Sequence, residues 1–150
     1  MPKVELINTE SDIEKIVAEI NSATWDDAND LCQYDVEGLR AYLQKEDAVF
    51  LVCRDEEDAF LGMASGRLQL KPYGQERWFY VDEVDVCVDH RRKGAGAAMM
   101  KKFLDIAHAE NCEELWLGTE LDNVAANALY KSLKPDDIEQ FVGFNFEMQD

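Results

Sequence analysis

The chain has 150 residues, 47 % of them hydrophobic and 31 % charged, enough apolar material for one core and too much for a disordered chain. The charges are lopsided, 15 Lys and Arg against 32 Asp and Glu for a formal −17, so the summed field repels phosphate and argues against a general binder of nucleic acid or anionic membranes. No run of roughly 18 apolar residues offers a membrane span. Met1-Pro2-Lys3-Val4-Glu5 lacks the basic-then-apolar pattern of a secretory signal, and a cytoplasmic protein is expected.

Residues 4–7 read as a short first strand. Thr9, Ser11 and Asp12 supply helix-start oxygens, and Ile13, Ile16, Val17 and Ile20 follow at the spacing of one apolar helix stripe. Residues 21–35 are polar and acidic. A second helix is expected through Val36, Leu39, Tyr42 and Leu43, with Gly38 weakening it. Residues 48–53 form a continuous apolar run suited to a buried strand. The charged turn at 55–58 joins them to a second strand over 59–70. After a Pro72–Gly74 loop, residues 78–88 read as a long strand rich in aromatic and β-branched residues. Gly94 opens a helix to about residue 110, with Met99, Phe103 and Ile106 on one side and Met100, Leu104 and Ala107 broadening that face. Residues 115–117 read as a strand and 123–133 as a helix ended before Pro135. A last strand is expected over 141–148, with Phe144, Phe146 and Met148 on one face. The order β-α-α-β-β-β-α-β-α-β, without repeats or linkers, predicts one α/β (α+β) domain over residues 1–150 with a mixed sheet.

Cys32, Cys53, Cys87 and Cys112 are scattered, and His90 and His108 are the only histidines. No zinc spacing exists and no metal is expected; the cysteines read as reduced thiols.

The charge is partitioned along the chain. Residues 1–60 carry a net −11, residues 61–104 a net +3 and residues 105–150 a net −9. The basic island contains Val84-Asp85-Val86-Cys87-Val88-Asp89-His90-Arg91-Arg92-Lys93-Gly94-Ala95-Gly96-Ala97-Ala98, a strand that turns through a loop into a helix. The first N–H groups of a helix have no partners within it, and its dipole adds positive potential there. Gly94 and Gly96 let a phosphate approach the backbone, and Arg91, Arg92 and Lys93 add charge. The segment is neither a Walker A loop nor a full dinucleotide fingerprint.

Arg91-Arg92-Lys93-Gly94-Ala95-Gly96 resembles R/Q-x-x-G-x-G/A, the acyl-CoA pyrophosphate loop of the GNAT superfamily of N-acetyltransferases, and stands between the fourth strand and third helix as it does there. Asn123-Val124-Ala125-Ala126-Asn127-Ala128-Leu129-Tyr130 is similar to that family's N-x-x-A-x-x-L-Y block. The resemblance implies the GNAT fold, a mixed and mostly antiparallel sheet flanked by helices, and acetyl-CoA as donor with CoA as product. It implies that the backbone of Val86, Cys87 and Val88 pairs with the pantetheine arm. The loop N–H groups from Arg92 to Ala97 would hold the pyrophosphate, Asn123 would touch the pantetheine region, and Tyr130 would protonate the leaving thiolate. An attacking amine must be neutral, so a base is required. Asp82, Glu83 and Asp85 lie on the fourth strand; alternation puts Glu83 and Asp85 on one face, and this family commonly has a bulge there. Glu83 is the expected base, with Glu120 a further candidate.

Within the superfamily the chain most resembles the type I aminoglycoside 3-N-acetyltransferases. The likeness rests on Glu83-Val84-Asp85-Val86, His90-Arg91-Arg92-Lys93-Gly94, Glu120 and Ala126-Asn127-Ala128-Leu129-Tyr130, and the family's usual Leu-Gly helix end is here Leu133-Lys134. It implies a polycationic acceptor drawn by Asp26, Asp27, Asp30, Asp35, Asp85 and Glu120, with Trp25 and Tyr34 available to sugar faces. Another cationic amine (a polyamine, a small metabolite or a protein lysine) and a non-catalytic acyl-CoA-binding module remain alternatives. A homodimer paired through 141–148 is also open. No nucleic-acid or membrane partner is expected.

Overall fold

The computed structural model describes residues 1–27, 31–90 and 93–149. They fall into two compact units, Met1–Gly118 and Thr119–Asp150. The first contains β1 (Lys3–Leu6), α1 (Ile13–Ser22), α2 (Val36–Leu43), β2 (Ala48–Arg54), β3 (Phe60–Leu70), β4 (Arg77–Val86), a 3-10 turn (Val88–His90), α3 (Ala95–Ala109) and β5 (Glu114–Trp116). The five strands lie in sequence order. All neighbours are antiparallel except β4 and β5, which run parallel, giving the expected mixed sheet.

Local chemistry sets the helix starts. Asp12 accepts from Lys15 N at the head of α1 and Asp35 from Gly38 N at the head of α2, each satisfying a donor the helix cannot. The apolar stripe of α1 then buries Ile13, Ile16, Val17 and Ile20 against Phe50, Val52, Phe60 and Met63 of the sheet, together with Leu39 of α2. Arg54 of β2 forks onto Glu19 of α1 at 2.5 and 2.7 Å, tying helix to sheet through a bidentate pair.

The opposite face of the sheet packs on α3. Phe79 of β4 meets Phe103 at 5.0 Å between ring centroids, and Met99, Met100 and Ala107 are buried with it. Aromatic contacts of this kind add about 0.5–1.5 kcal/mol beyond area burial.

The β3–β4 ladder contains one irregularity that matters. Ser65 pairs with Glu83 and Gly66 with Val81, so Asp82 is an extra residue, a bulge on β4. Ahead of it Phe79 and Val81 are buried on the α3 side. Beyond it Asp85 pairs with Met63, whose side chain belongs to the α1 and α2 cluster. One inserted residue therefore carries Glu83 and Asp85 to the other face. The bulged Asp82 points its own carboxylate at Arg67, 2.8 Å away.

In the second unit, α4 (Val124–Ser132) starts at Asn123, whose side chain accepts from Ala126 N at 3.1 Å. Asn127 Nδ2 reaches back to the carbonyls of Glu120 and Asn123 at 2.9 and 2.8 Å, fastening the turn ahead of the helix. The strand expected over 141–148 does not form. Phe144, Phe146 and Met148 are 82, 76 and 87 % exposed. Alternating apolar residues make a strand only where a neighbouring backbone completes the ladder, and no ladder pairs these residues.

Candidate active site

The expected donor loop lies where β4 runs into α3. Gly94 is the N-cap at φ 80°, a left-handed backbone that residues with a Cβ adopt at a cost of about 1–2 kcal/mol. It offers no side-chain cap, so the first N–H groups of Ala95, Gly96 and Ala97 face outward from the helix start. The ladder begins with Ala98 N donating to Gly94 O at 3.0 Å. Lys93 is exposed beside them, its Nζ 3.4 Å from His90 Nδ1. Positive-φ glycine, small residues, a 15-residue helix and a cation are the parts that a pyrophosphate requires. Arg91 and Arg92 lie outside the described residues.

The strand end expected to hold the pantetheine arm is more constrained than the pattern suggests. Cys87 N donates to Leu61 O and Val88 N to Thr24 O, both at 2.9 Å, while Cys87 O accepts from His90 N at 3.1 Å. These groups hold the turn into α3. The edge left open is the β5 side of β4, because β5 pairs only with Trp78, Phe79 and Tyr80. From Val81 to Val86 that edge carries no ladder among the described residues. The Cys87 thiol is buried, with its pKa pushed up to about 11 by desolvation, so it is a packed side chain and not a nucleophile. A cavity of about 210 Å³ lies at this turn, lined by Glu19, Ser22, Ala23, Thr24, Phe60, Cys87, Asp89 and His90. A larger one, about 450 Å³, is lined by Leu70, Gln75, Arg77, Glu110 and Asn111 at the far end of β4, and contains none of the expected site residues.

The expected acceptor carboxyls Glu83 and Asp85 share the face to which the bulge turns them. Asp85 is 7 % exposed, and its Oδ2 has no hydrogen-bond partner. Desolvation, then the charge of Glu83 and a hydrogen bond with that carboxyl, raise the Asp85 pKa to about 7. Glu83 is exposed. Tyr34, in the segment ahead of α2, feels both carboxylates; burial and then their charges raise its pKa well above the usual phenol range. Tyr34 is held by Asn21, whose Nδ2 donates to Tyr34 O at 2.8 Å and whose Oδ1 accepts from Tyr34 N at 3.0 Å. Sequence reasoning offered Tyr34 only as a sugar-stacking ring; nothing local in the sequence marks it as a neighbour of Glu83.

Other expected acceptor residues scatter. Asp35 is engaged as the α2 cap. Asp27 is exposed and Asp26 half-buried. Asp30 lies outside the described residues. Trp25 belongs to the core and not to a sugar platform: its ring meets Phe60 edge-on at 6.1 Å and its Nε1 donates to Ile20 O at 2.9 Å. In the second unit, Glu120 has an exposed side chain, Asn123 is the α4 cap and Tyr130 lies on α4.

Residues 12–134 match the model of one protein family. The chain belongs to the acetyltransferase (GNAT) family. Among solved structures the fold is similar to an aminoglycoside acetyltransferase from an uncultured soil metagenomic sample. In complex with trehalose that protein gives a TM-score of 0.84 at 19 % identity, covering 99 % of this chain and 97 % of the other. In complex with sisomicin it gives 0.83 at the same identity and coverage. A ribosomal-protein-alanine N-acetyltransferase from Brucella melitensis gives 0.74 at 21 % identity, covering 97 and 99 %. Among curated proteins, N-acetyltransferase family 8 member 3 of Mus musculus is 30 % identical over 94 residues, 63 % of this chain. The chain spans about two fifths of the length of the curated relatives it matches, 41 % in each case. No helix among the described residues is long and apolar enough to cross a membrane.

Proposed function

We propose that the chain transfers the acetyl group of acetyl-CoA to an amine of an aminoglycoside, with the 3-N position favoured. The observation that carries this reading is the bulge at Asp82, which turns both Glu83 and Asp85 from the α3 face to the face covered by α1 and α2, in the stretch of β4 that β5 leaves unpaired. Ammonium groups are drawn to carboxylates, and a carboxylate is needed to take the amine's proton. A fold neighbour solved with sisomicin supports the class of acceptor.

The acetyl thioester supplies the carbonyl that the amine attacks. The backbone N–H groups at the head of α3, with Lys93 and the arginines before it, hold the pyrophosphate, and the open edge of β4 aligns the arm. Glu83 takes the proton from the amine nitrogen, whose freed lone pair forms the amide bond. Tyr130 holds the phenolic proton that the departing thiolate accepts, the role the N-x-x-A-x-x-L-Y resemblance gives it. Asp26, Asp27, Asp30, Asp85 and Glu120 contribute negative field for the acceptor.

A second reading is a smaller cationic amine, such as a polyamine or a protein lysine. It is favoured by the fact that, among the described residues, the carboxyl acting on buried Asp85 is that of Glu83, a pair suited to one ammonium. Purified protein is to be given acetyl-CoA with a panel of aminoglycosides, polyamines and lysine peptides, with release of free thiol as the signal. Release with aminoglycosides, and resistance of a susceptible bacterium expressing the chain, is expected. Release only with other amines selects the second reading, and CoA binding without release from any amine removes both.

A further inference from the structure

Asp85 is the only carboxylate buried among the described residues, and one of its oxygens has no hydrogen-bond partner. An enclosed carboxylate without a cation is costly as an ion. The groups that face it all act in one direction. Glu83, on the same strand face, is negative and hydrogen-bonds the Asp85 carboxyl. Across the ladder from β3, Asp85 faces Met63 and Glu83 faces Ser65, and neither titrates. From the segment ahead of α2 comes Tyr34, whose phenol stays protonated beside them. Among the described residues no Lys, Arg or His forms an ion pair with either carboxyl.

We propose that Glu83 and Asp85 work as one carboxyl pair holding a single proton, and that this pair, rather than Glu83 alone, receives the proton of the acceptor's ammonium, with Asp85 the positioning partner that stores it. The inference deepens the transferase reading and rests on it. With both carboxyls ionised, the ammonium gives one proton to the pair. The nitrogen keeps its electrons as a neutral amine, and the pair goes from two negative charges to one. The proton lies between the two carboxyls and leaves to solvent through exposed Glu83 after the product departs. A lone exposed carboxylate, with a pKa of roughly 4, is a poor base at neutral pH. Burial and the neighbouring charge bring Asp85 to about 7, near the range where a general base is most effective.

The test is a titration of the pair itself, by infrared difference spectroscopy from about pH 4 to about pH 9, beside the pH profile of kcat/KM for the acetylated amine. In the wild type a protonated-carboxyl band is expected to disappear with a midpoint of about 7, and the acid limb of kcat/KM to share it. In Asp85→Asn the band is expected to be lost and the limb to move down by at least ~1 pH unit, with kcat falling more than KM changes. Glu83→Gln, at an exposed position that does not disturb packing, is expected to lower the Asp85 midpoint by about one unit. A wild-type band that titrates only near ~4, or an unchanged limb in Asp85→Asn, overturns the pair while acetylation itself stands. A band at about 7 in a protein that acetylates no amine overturns the transferase reading, and the pair's role in taking the proton with it.

Discussion

On the proposed function, the donor and acceptor ends of β4 are built by different means. At the donor end the working groups are backbone N–H groups at the start of α3, freed by a glycine at φ 80° and neutral by nature. At the acceptor end they are two carboxyls, one exposed and one buried with no ion-pair partner among the described residues. A backbone cradle takes a large anion without storing charge of its own. A carboxyl pair stores charge, so its strength depends on pH and its burial weakens the fold. The proposed function thus has the donor held by geometry and the acceptor by electrostatics.

Several changes sharpen or break that contrast. The largest effect is expected from deleting Asp82. Removing the bulge restores simple alternation and turns Glu83 and Asp85 toward the α3 face occupied by Phe79 and Phe103. Two carboxyls forced into that layer are expected to cost more than ~5 kcal/mol, read as loss of the cooperative thermal transition. Next is Asp85→Asn. Its folded pKa of about 7 lies above the ordinary 3.8, so the folded state binds the extra proton and loses stability as pH rises between those values. Substitution is therefore expected to stabilise the protein above pH 7 by up to ~3 kcal/mol, with the gain vanishing near pH 4; melting temperatures at both pH values check it. Tyr130→Phe is expected to lower turnover about 10- to 100-fold with acetyl-CoA affinity kept, measured by thiol release and calorimetry. The smallest effect is expected from Gly94→Ala. The added Cβ meets only Pro2 Cγ at 4.0 Å, so the loss is backbone strain of about 1–2 kcal/mol, seen as weaker acetyl-CoA binding and a lower melting temperature.

What the sequence made legible follows the same division. The glycine-opened α3, the cap Asp12 and the apolar stripe of α1 are local signals, and each stands where its spacing puts it. The bulge is expected only from the family resemblance, because the run Trp78-Phe79-Tyr80-Val81 ahead of it shows no alternation for the bulge to interrupt. Tyr34 beside Glu83 and Asp85 and the core position of Trp25 against Phe60 depend on how distant segments meet, which residue type and spacing do not encode. The 141–148 segment shows the converse: a clear alternating pattern remains out of any sheet when no neighbouring backbone completes it.

The division between donor cradle and acceptor carboxyls is tested most directly by measuring acetyl-CoA binding and amine acetylation together in Glu83→Gln. The account predicts donor affinity within about two-fold of wild type and turnover reduced by ~10²-fold or more. Undiminished turnover, or an equal loss of donor binding and turnover, would contradict it.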